Sequence, residues 1–257
     1  MSSTLSICVA GATGWTGAAI AEAVAAADDL DLCSGVSRSA AGSELHGAPV
    51  FASVGEALDG AGVMVDYTSH DVAKANALTA IERGVAVVIG TSGLTADDFA
   101  DIDAAARERG VGAIAAGNFS LTAAMAKASA TLAARHLPSW EIIDYASAGK
   151  ADAPSGTARE LAETLGAAAR ERSLADTHGA VESRGADIGG TQVHSLRLPS
   201  FTVSTEIVFG LPDERLSIRH DAGSSAAPYV AGTLMAVRAV SGRTGLTRGL
   251  DALLLEG

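Results

Sequence analysis

The chain has 257 residues, enough for one large domain or two modest ones, and its apolar content of 48% supports a substantial core. A formal net charge of −12 argues against a nucleic-acid binder or a protein held on an anionic membrane, while a local basic pocket for an anionic substrate stays open. No apolar run reaches transmembrane length and the N-terminus lacks the basic region and cleavage site of a signal peptide. The two cysteines, Cys8 and Cys33, fall in expected buried strands, so a reduced, cytoplasmic protein is the expectation.

Leu5 to Ala10 is a short apolar run that reads as a buried parallel strand. Gly11-Ala-Thr13-Gly14-Trp15-Thr16-Gly17 follows at once, and Ala18 to Ala27 reads as a helix. Strand, glycine-rich turn and helix in that order are the context of a dinucleotide-binding fingerprint, here spaced GxxGxxG. Gly11 permits a tight turn, Gly14 lets backbone approach a pyrophosphate, and Gly17 lets helix and strand come close. Thr13, Trp15 and Thr16 share the loop and are expected beside the cofactor.

The second strand, Leu30 to Val36, ends in Ser37-Arg38-Ser39. A carboxylate at this place would grip the ribose 2′-hydroxyl of NAD. Here no acid stands against a 2′-phosphate and Arg38 can pair with one, which favours NADPH over NADH. A solvated loop arginine is the alternative. Val63 to Thr68, Val85 to Ile89 and Gly112 to Ala116 are further strands, each ending in a small polar loop. That pattern is expected along the carboxyl edge of a doubly wound sheet. It places Tyr67, Thr68, Gly90, Thr91, Ser92, Asn118 and Phe119 near the nicotinamide. His70 follows one of these strands and reads as a loop residue.

After Ser120 the pattern changes. Leu121 to His136 is an Ala-rich helix and Trp140 to Tyr145 a strand. Lys150-Ala-Asp-Ala-Pro-Ser-Gly-Thr-Ala158 then makes a turn that opens a helix reaching Arg172, with Pro154 expected in its first turn. Ser155, Gly156 and Thr157 put hydroxyls and backbone N–H groups at the positively polarised helix end, where carboxylate or phosphate binds readily. Lys150 can close over the same anion. An ordinary capped helix start with a surface lysine is the competing reading. A polar loop, Ser173 to Gly190, leads to strands Gln192 to Arg197, Ser204 to Gly210 and Glu214 to His220, and a last helix spans Pro228 to Val240. His194 and His220 lie on these strands and read as structural; His46, His136 and His178 read as surface residues. The expected fold is α/β: a Rossmann-like doubly wound parallel sheet with a second α+β domain carrying a mixed or antiparallel sheet. Residues 1–120 with 229–257 would form the dinucleotide-binding domain, and 121–228 the substrate-binding and oligomerisation domain. No metal-ligand spacing such as CxxC or HExxH occurs.

The chain resembles the dihydrodipicolinate reductase family over nearly its whole length. The resemblance rests on the GxxGxxG turn, Val65-Asp-Tyr-Thr68, Val88-Ile-Gly-Thr-Ser-Gly93 and Asn118-Phe-Ser120. It rests also on Arg184-Gly-Ala-Asp187, Val193-His-Ser-Leu-Arg197, Ser217-Ile-Arg-His-Asp221 and, most specifically, Lys150-Ala-Asp-Ala-Pro-Ser-Gly-Thr157. It implies NAD(P)H-dependent reduction of a carbon–nitrogen double bond, or its conjugated equivalent, in a carboxylate substrate. In the family that substrate is an intermediate of diaminopimelate and lysine synthesis. It also implies that Lys150, Ser155, Gly156 and Thr157 hold the substrate, and that the protein is a homotetramer built through the sheets of the second domain.

The chain departs from the family at one place above all. The usual run of the form His-His-x-x-Lys is here Ala146-Ser147-Ala-Gly-Lys150. The first histidine is the family's proposed general acid; the second touches substrate, the place Ser147 occupies. The expected glutamate slightly earlier is Asp144, the Pro of Pro-Asn-Phe is Gly117, and an arginine expected after Asp221 is missing. A positioned acid contributes ~10²–10⁴ in rate. An iminium acceptor arrives protonated and needs it less; a neutral conjugated acceptor needs it more. Lys150 is the first candidate for the proton, Tyr145 and solvent the weaker ones. The smaller residues are also expected to enlarge the pocket. Two readings stay open: a reductase, of the pathway intermediate or of a different imine, and a catalytically silent NADPH-binding sensor.

Overall fold

The computed structural model describes residues 4–171 and 176–254, so the expected helix end at Arg172 and the start of the loop at Ser173 lie outside the described residues. The chain divides into two units, 1–121 with 226–257, and 122–225.

In the first unit, β1 (Leu5–Ala10), α1 (Trp15–Ala25), β2 (Leu30–Val36), β3 (Glu44–Leu45), β4 (Ala48–Phe51), α2 (Val54–Ala57) and β5 (Val63–Asp66) come first. Then follow α3 (His70–Glu82), β6 (Ala86–Ile89), α4 (Ala96–Arg109) and β7 (Gly112–Ala115). The eight-stranded sheet has the order β13-β7-β6-β5-β1-β2-β4-β3, where β13 (Gly245–Arg248) follows α7 (Ala227–Val240) and precedes α8 (Asp251–Leu254). All its pairs are parallel except β3 with β4. Every residue of β5, β6 and β7 is buried. These strands read as unbroken apolar runs because helices cover both faces of a parallel sheet.

The chain lays down β1, β2 and β4 in one direction and then returns to place β5 on the other side of β1. The carboxyl ends of β1 and β5 therefore mark the point where strand order reverses, which is where ligands bind in open α/β sheets. α1 begins at Trp15 rather than Ala18, with Gly14 as its N-cap, so the second half of the glycine motif is already helical. α4 is an element that the sequence pattern does not announce. Its start is marked by a capping box, in which Thr95 accepts from the Asp98 N–H and Asp98 accepts from the Thr95 N–H, and its end by Gly110 at φ 68°.

The second unit holds α5 (Leu121–Ala134), β8 (Trp140–Ala146), α6 (Gly156–Ala168), β9 (Ala186–Ile188), β10 (Thr191–Arg197), β11 (Val203–Leu211) and β12 (Glu214–Ala222). Its five-stranded sheet has the order β12-β11-β8-β10-β9. β8 and β10 run parallel and the other neighbours antiparallel, so the sheet is mixed. Burial alternates along β8: Trp140, Ile142, Asp144 and Ala146 face inward, and Glu141, Ile143 and Tyr145 face the other side. Trp140, Ile142, Ile207 and Phe209 pack with Ala130 and Ala134 of α5 and with Leu161 and Leu165 of α6. One carboxylate, Asp144, continues that apolar stripe and therefore needs partners.

Candidate active site

At the switch point the first unit opens a cleft of about 410 Å³. Its walls come from three strand ends: Gly14, Trp15 and Thr16 after β1, Tyr67 to His70 after β5, and Gly90, Thr91 and Ser92 after β6. The glycines are required by contact. A Cβ on Gly11, which sits at φ 81°, would come 2.2 Å from the Tyr67 carbonyl oxygen, and one on Gly17 would come 2.0 Å from the Gly11 carbonyl oxygen. A Cβ on Gly90 would meet the Tyr67 ring at 2.2 Å. That ring is locked by a 2.7 Å hydrogen bond between its hydroxyl and Thr233 of α7 and by an edge contact with Phe119. Burial pushes the Tyr67 phenol above its ordinary range, with Thr233 opposing, so it stays protonated. Trp15, exposed at 58%, stands edge-on to Tyr229 at the cleft mouth.

At the end of β2, Ser37 shares a 2.7 Å hydrogen bond with Thr13 of the glycine-rich turn and lies 3.3 Å from Ser39. Arg38 between them is exposed and makes no ion pair among the described residues. Beneath the cleft, Asp66 has no exposed surface and accepts four hydrogen bonds: from the Thr68 N–H (3.1 Å) and hydroxyl (2.7 Å), the Thr91 hydroxyl (2.6 Å) and the Asn76 amide (2.8 Å).

In the second unit Asp144, also fully buried, accepts from the Ser155 N–H (2.8 Å) and hydroxyl (2.7 Å), the Ser195 hydroxyl (3.2 Å) and the Arg197 guanidinium (2.8 Å). The Ser155 hydroxyl in turn caps α6 by accepting from the Ala158 N–H. Arg197 also donates to the Asp152 carbonyl at 2.7 Å, which ties β10 to the loop before α6. The Lys150 ammonium lies 2.8 Å from Asp152. Burial works against the Asp152 charge, but the Lys150 ammonium beside it prevails and holds the carboxyl below its usual range.

Two family models cover this chain: dihydrodipicolinate reductase, N-terminus, over residues 5–119, and dihydrodipicolinate reductase, C-terminus, over residues 118–254. The chain belongs to the dihydrodipicolinate reductase family. Among its relatives is a 4-hydroxy-tetrahydrodipicolinate reductase of Streptococcus pneumoniae (strain P1031), 35% identical across 96% of this chain and 98% of that one. Another, from Mycobacterium sp. (strain KMS), is 37% identical across 96% and 97%. The solved structure of a dipicolinate-bound dihydrodipicolinate reductase from Paenisporosarcina sp. TG-14 superposes with a TM-score of 0.83 at 24% identity, covering 97% of this chain and 99% of that one. GenD2 from gentamicin A biosynthesis, solved with NAD, shares the fold at a TM-score of 0.68 and 18% identity, covering 97% of this chain and 90% of that one. The chain is thus an NAD(P)H-dependent oxidoreductase of dihydrodipicolinate reductase type, acting on a C=N or conjugated bond of a small substrate.

Within that frame the structure sorts the expected residues. Gly14, Trp15, Thr16, Tyr67, Thr68, Gly90, Thr91 and Ser92 line one cleft; Thr13, Ser37 and Arg38 stand together at the neighbouring strand end. Asn118 accepts from the Ser120 N–H, and Phe119, exposed at 1%, is a core residue behind Tyr67 rather than part of the cleft lining. Pro154 precedes the N-cap Ser155 instead of lying in the first helical turn, because α6 starts at Gly156. The Ser155 hydroxyl, expected on a substrate carboxylate, is committed to Asp144 and the helix cap. Tyr145 points to the opposite sheet face, where it donates to Glu206 and lies under Arg219, so it does not share a face with Asp144. Ala146 has no exposed surface, so the volume an imidazole would fill there is not open space.

Asp66, Asn76 and Arg197 are not legible as site residues in the sequence. Asp66 and Arg197 sit inside segments quoted for other reasons, and their roles depend on partners far along the chain. Ser69 and His70 also line the cleft; His70 pairs with Asp71 at 3.0 Å in solvent.

Proposed function

We propose that this reductase acts on 4-hydroxy-tetrahydrodipicolinate, the substrate named for its relatives, with NADPH as the preferred reductant. The observation that carries the reading is the braced Lys150–Thr157 loop, whose geometry Asp144 and Arg197 fix from beneath. A dicarboxylate suits it. Gly156 and Thr157 stand in the first turn of α6, a helix start where negative charge is favoured, and Lys150 and Ser147 lie on the turn closed by the Lys150 N–H to Ser147 carbonyl bond. Ser155 holds this arrangement rather than touching substrate.

The cleft fits a dinucleotide, because side chains are excluded where Gly11, Gly17 and Gly90 crowd neighbouring groups. Gly11, Thr13, Gly14, Trp15, Thr16 and Gly17 would hold its phosphates, Ser37 and Arg38 a 2′-phosphate, and Tyr67, Thr68, Gly90, Thr91 and Ser92 the nicotinamide end, closed behind by Asn118 and Phe119. When bound, the cofactor supplies hydride. Lys150 is the group of this chain that donates the proton, since Ala146 and Ser147 carry none suited to it and Tyr145 faces away. A homotetramer built through the second-unit sheet completes the proposal. It is supported by the half-exposed face that carries Ile143, Tyr145, His194 and Leu196.

The deciding experiment is NADPH oxidation by the purified protein with freshly generated 4-hydroxy-tetrahydrodipicolinate beside a panel of cyclic and acyclic imino acids. Turnover of the first supports the reading. Turnover elsewhere in the panel supports the second reading, a paralogue retuned to another imine, which the Ala146 and Ser147 replacements favour. NADPH binding without any turnover identifies a sensor. Lys150→Ala lowers kcat by about 10²-fold or more if Lys150 is the donor; unchanged turnover removes it from the mechanism.

A further inference from the structure

Thr68 and Thr91 line the cleft, and a hydroxyl is ordinarily ambivalent: it can donate or accept. Here the ambiguity is removed. Both hydroxyl protons point to the same oxygen of Asp66, at 2.7 Å from Thr68 and 2.6 Å from Thr91, and a carboxylate oxygen can only accept. The Thr68 N–H is also used up, donating to Asp66 and to the Thr91 hydroxyl oxygen at 2.8 Å. The Asn76 amide fills the other Asp66 oxygen. Asp66 itself is fully buried and faces no cation among its bonded partners. Each threonine oxygen also accepts one bond, Thr91 from the Thr68 N–H and Thr68 from the Asn76 amide at 3.5 Å, so what each hydroxyl still has to offer a ligand is one lone pair and no proton.

We propose that Asp66 is a positioning residue that makes Thr68 and Thr91 an acceptor-only wall, which selects a ligand carrying an N–H donor, namely the carboxamide of the nicotinamide ring, over one carrying only acceptors. The inference rests on the cofactor reading above and deepens it. Acceptor oxygens repel phosphate and carboxylate, so the wall also keeps the anionic parts of a dinucleotide or substrate away from this end of the cleft. The fixed polarity comes at no conformational cost on binding, because the protons are already committed.

The test compares binding of NADPH with that of its 3-acetylpyridine analogue, in which a methyl replaces the amide NH₂, by titration calorimetry on the full chain. Adenosine 2′-phosphate 5′-diphosphoribose, which has no ring, is the control. Wild-type protein is expected to bind NADPH about 10-fold tighter than the analogue, the worth of one or two neutral hydrogen bonds. Asp66→Asn brings an N–H₂ into the node, frees a threonine proton, and shrinks that ratio toward one. Thr91→Val removes one acceptor and lowers the same ratio with Asp66 intact, which covers the case in which Asp66→Asn fails to fold. Equal binding of the two dinucleotides by wild type overturns the proposal while leaving the cofactor reading in place. Failure to bind either dinucleotide or the control overturns the cofactor reading itself.

Discussion

Two buried carboxylates organise the two units, and they differ in one partner. Asp66 accepts from a backbone N–H, two hydroxyls and the Asn76 amide; Asp144 accepts from a backbone N–H, two hydroxyls and the Arg197 guanidinium. The first set is neutral, and two of its members are hydroxyls whose protons are oriented onto the Asp66 carboxyl. The second set contains a cation, so Asp144 is compensated and becomes part of a brace that runs through Arg197 to the Asp152 carbonyl. One node sets the polarity of a wall; the other sets the shape of a loop. The contrast sets one residue type beneath a cleft lining in one sheet and beneath a loop in the other.

The largest effect should come from breaking the compensated node. Arg197→Met leaves Asp144 buried without its counter-charge, and the loss of one member of a buried pair costs about 3–5 kcal/mol. Urea unfolding of the full chain measures it. Replacing both, as Asp144→Asn with Arg197→Met, should recover much of that stability, because no unpaired charge remains. A single-variant loss below about 1 kcal/mol would mean that the serine hydroxyls alone satisfy Asp144 and that the two nodes are alike after all.

These nodes also mark the limit of what local sequence encodes. β1 and β2 were legible to the residue because apolar runs flanked by Gly and Asp leave little choice of boundary. The glycine-rich turn was legible because Gly11 and Gly17 obey local sterics. β3, β4 and β13 were not, since they are two to four residues long and owe their existence to pairing with distant strands. α4 is not legible although Thr95 and Gly110 signal its ends, because its charged surface hides a buried stripe of only Ile102 and Ala106. Asp66 became a node only when register set it beside Ile89, two residues before Thr91. Arg197 reaches Asp144 across 53 residues of sequence, and no local pattern encodes that meeting.

A third charge sharpens the comparison by being neither buried nor paired. Arg38 stands exposed beside Ser37 and Ser39 with no ion pair among the described residues. A phosphate arriving there forms a charge-assisted bond worth about 1.5–3 kcal/mol. Arg38→Ala should therefore weaken NADPH by about 10- to 100-fold in dissociation constant and leave NADH nearly unchanged. Calorimetric titration with both cofactors decides it: an equal loss for the two would sink the assignment of Arg38 to a 2′-phosphate, and with it the preference for NADPH.

The smallest effect belongs to a carboxylate at the surface, half-covered by its partners. Asp98 accepts from the Thr95 N–H and hydroxyl at the start of α4 and pairs with Lys74 at 2.9 Å. The Thr95 backbone N–H, followed by Lys74 and the Thr95 hydroxyl, holds its pKa down to about 2. A carboxylate whose folded value lies below its unfolded value stabilises the fold fully above the unfolded pKa, near pH 4, and loses that contribution as the pH falls toward 2. Wild type and Asp98→Asn should thus differ by a small, constant amount in melting temperature above about pH 4.5, and the gap should close on further acidification. A gap for Asp98→Asn that widens in acid would show that the α4 cap is not held by the ionised carboxylate, and that exposure alone does not separate weak charges from strong ones in this chain.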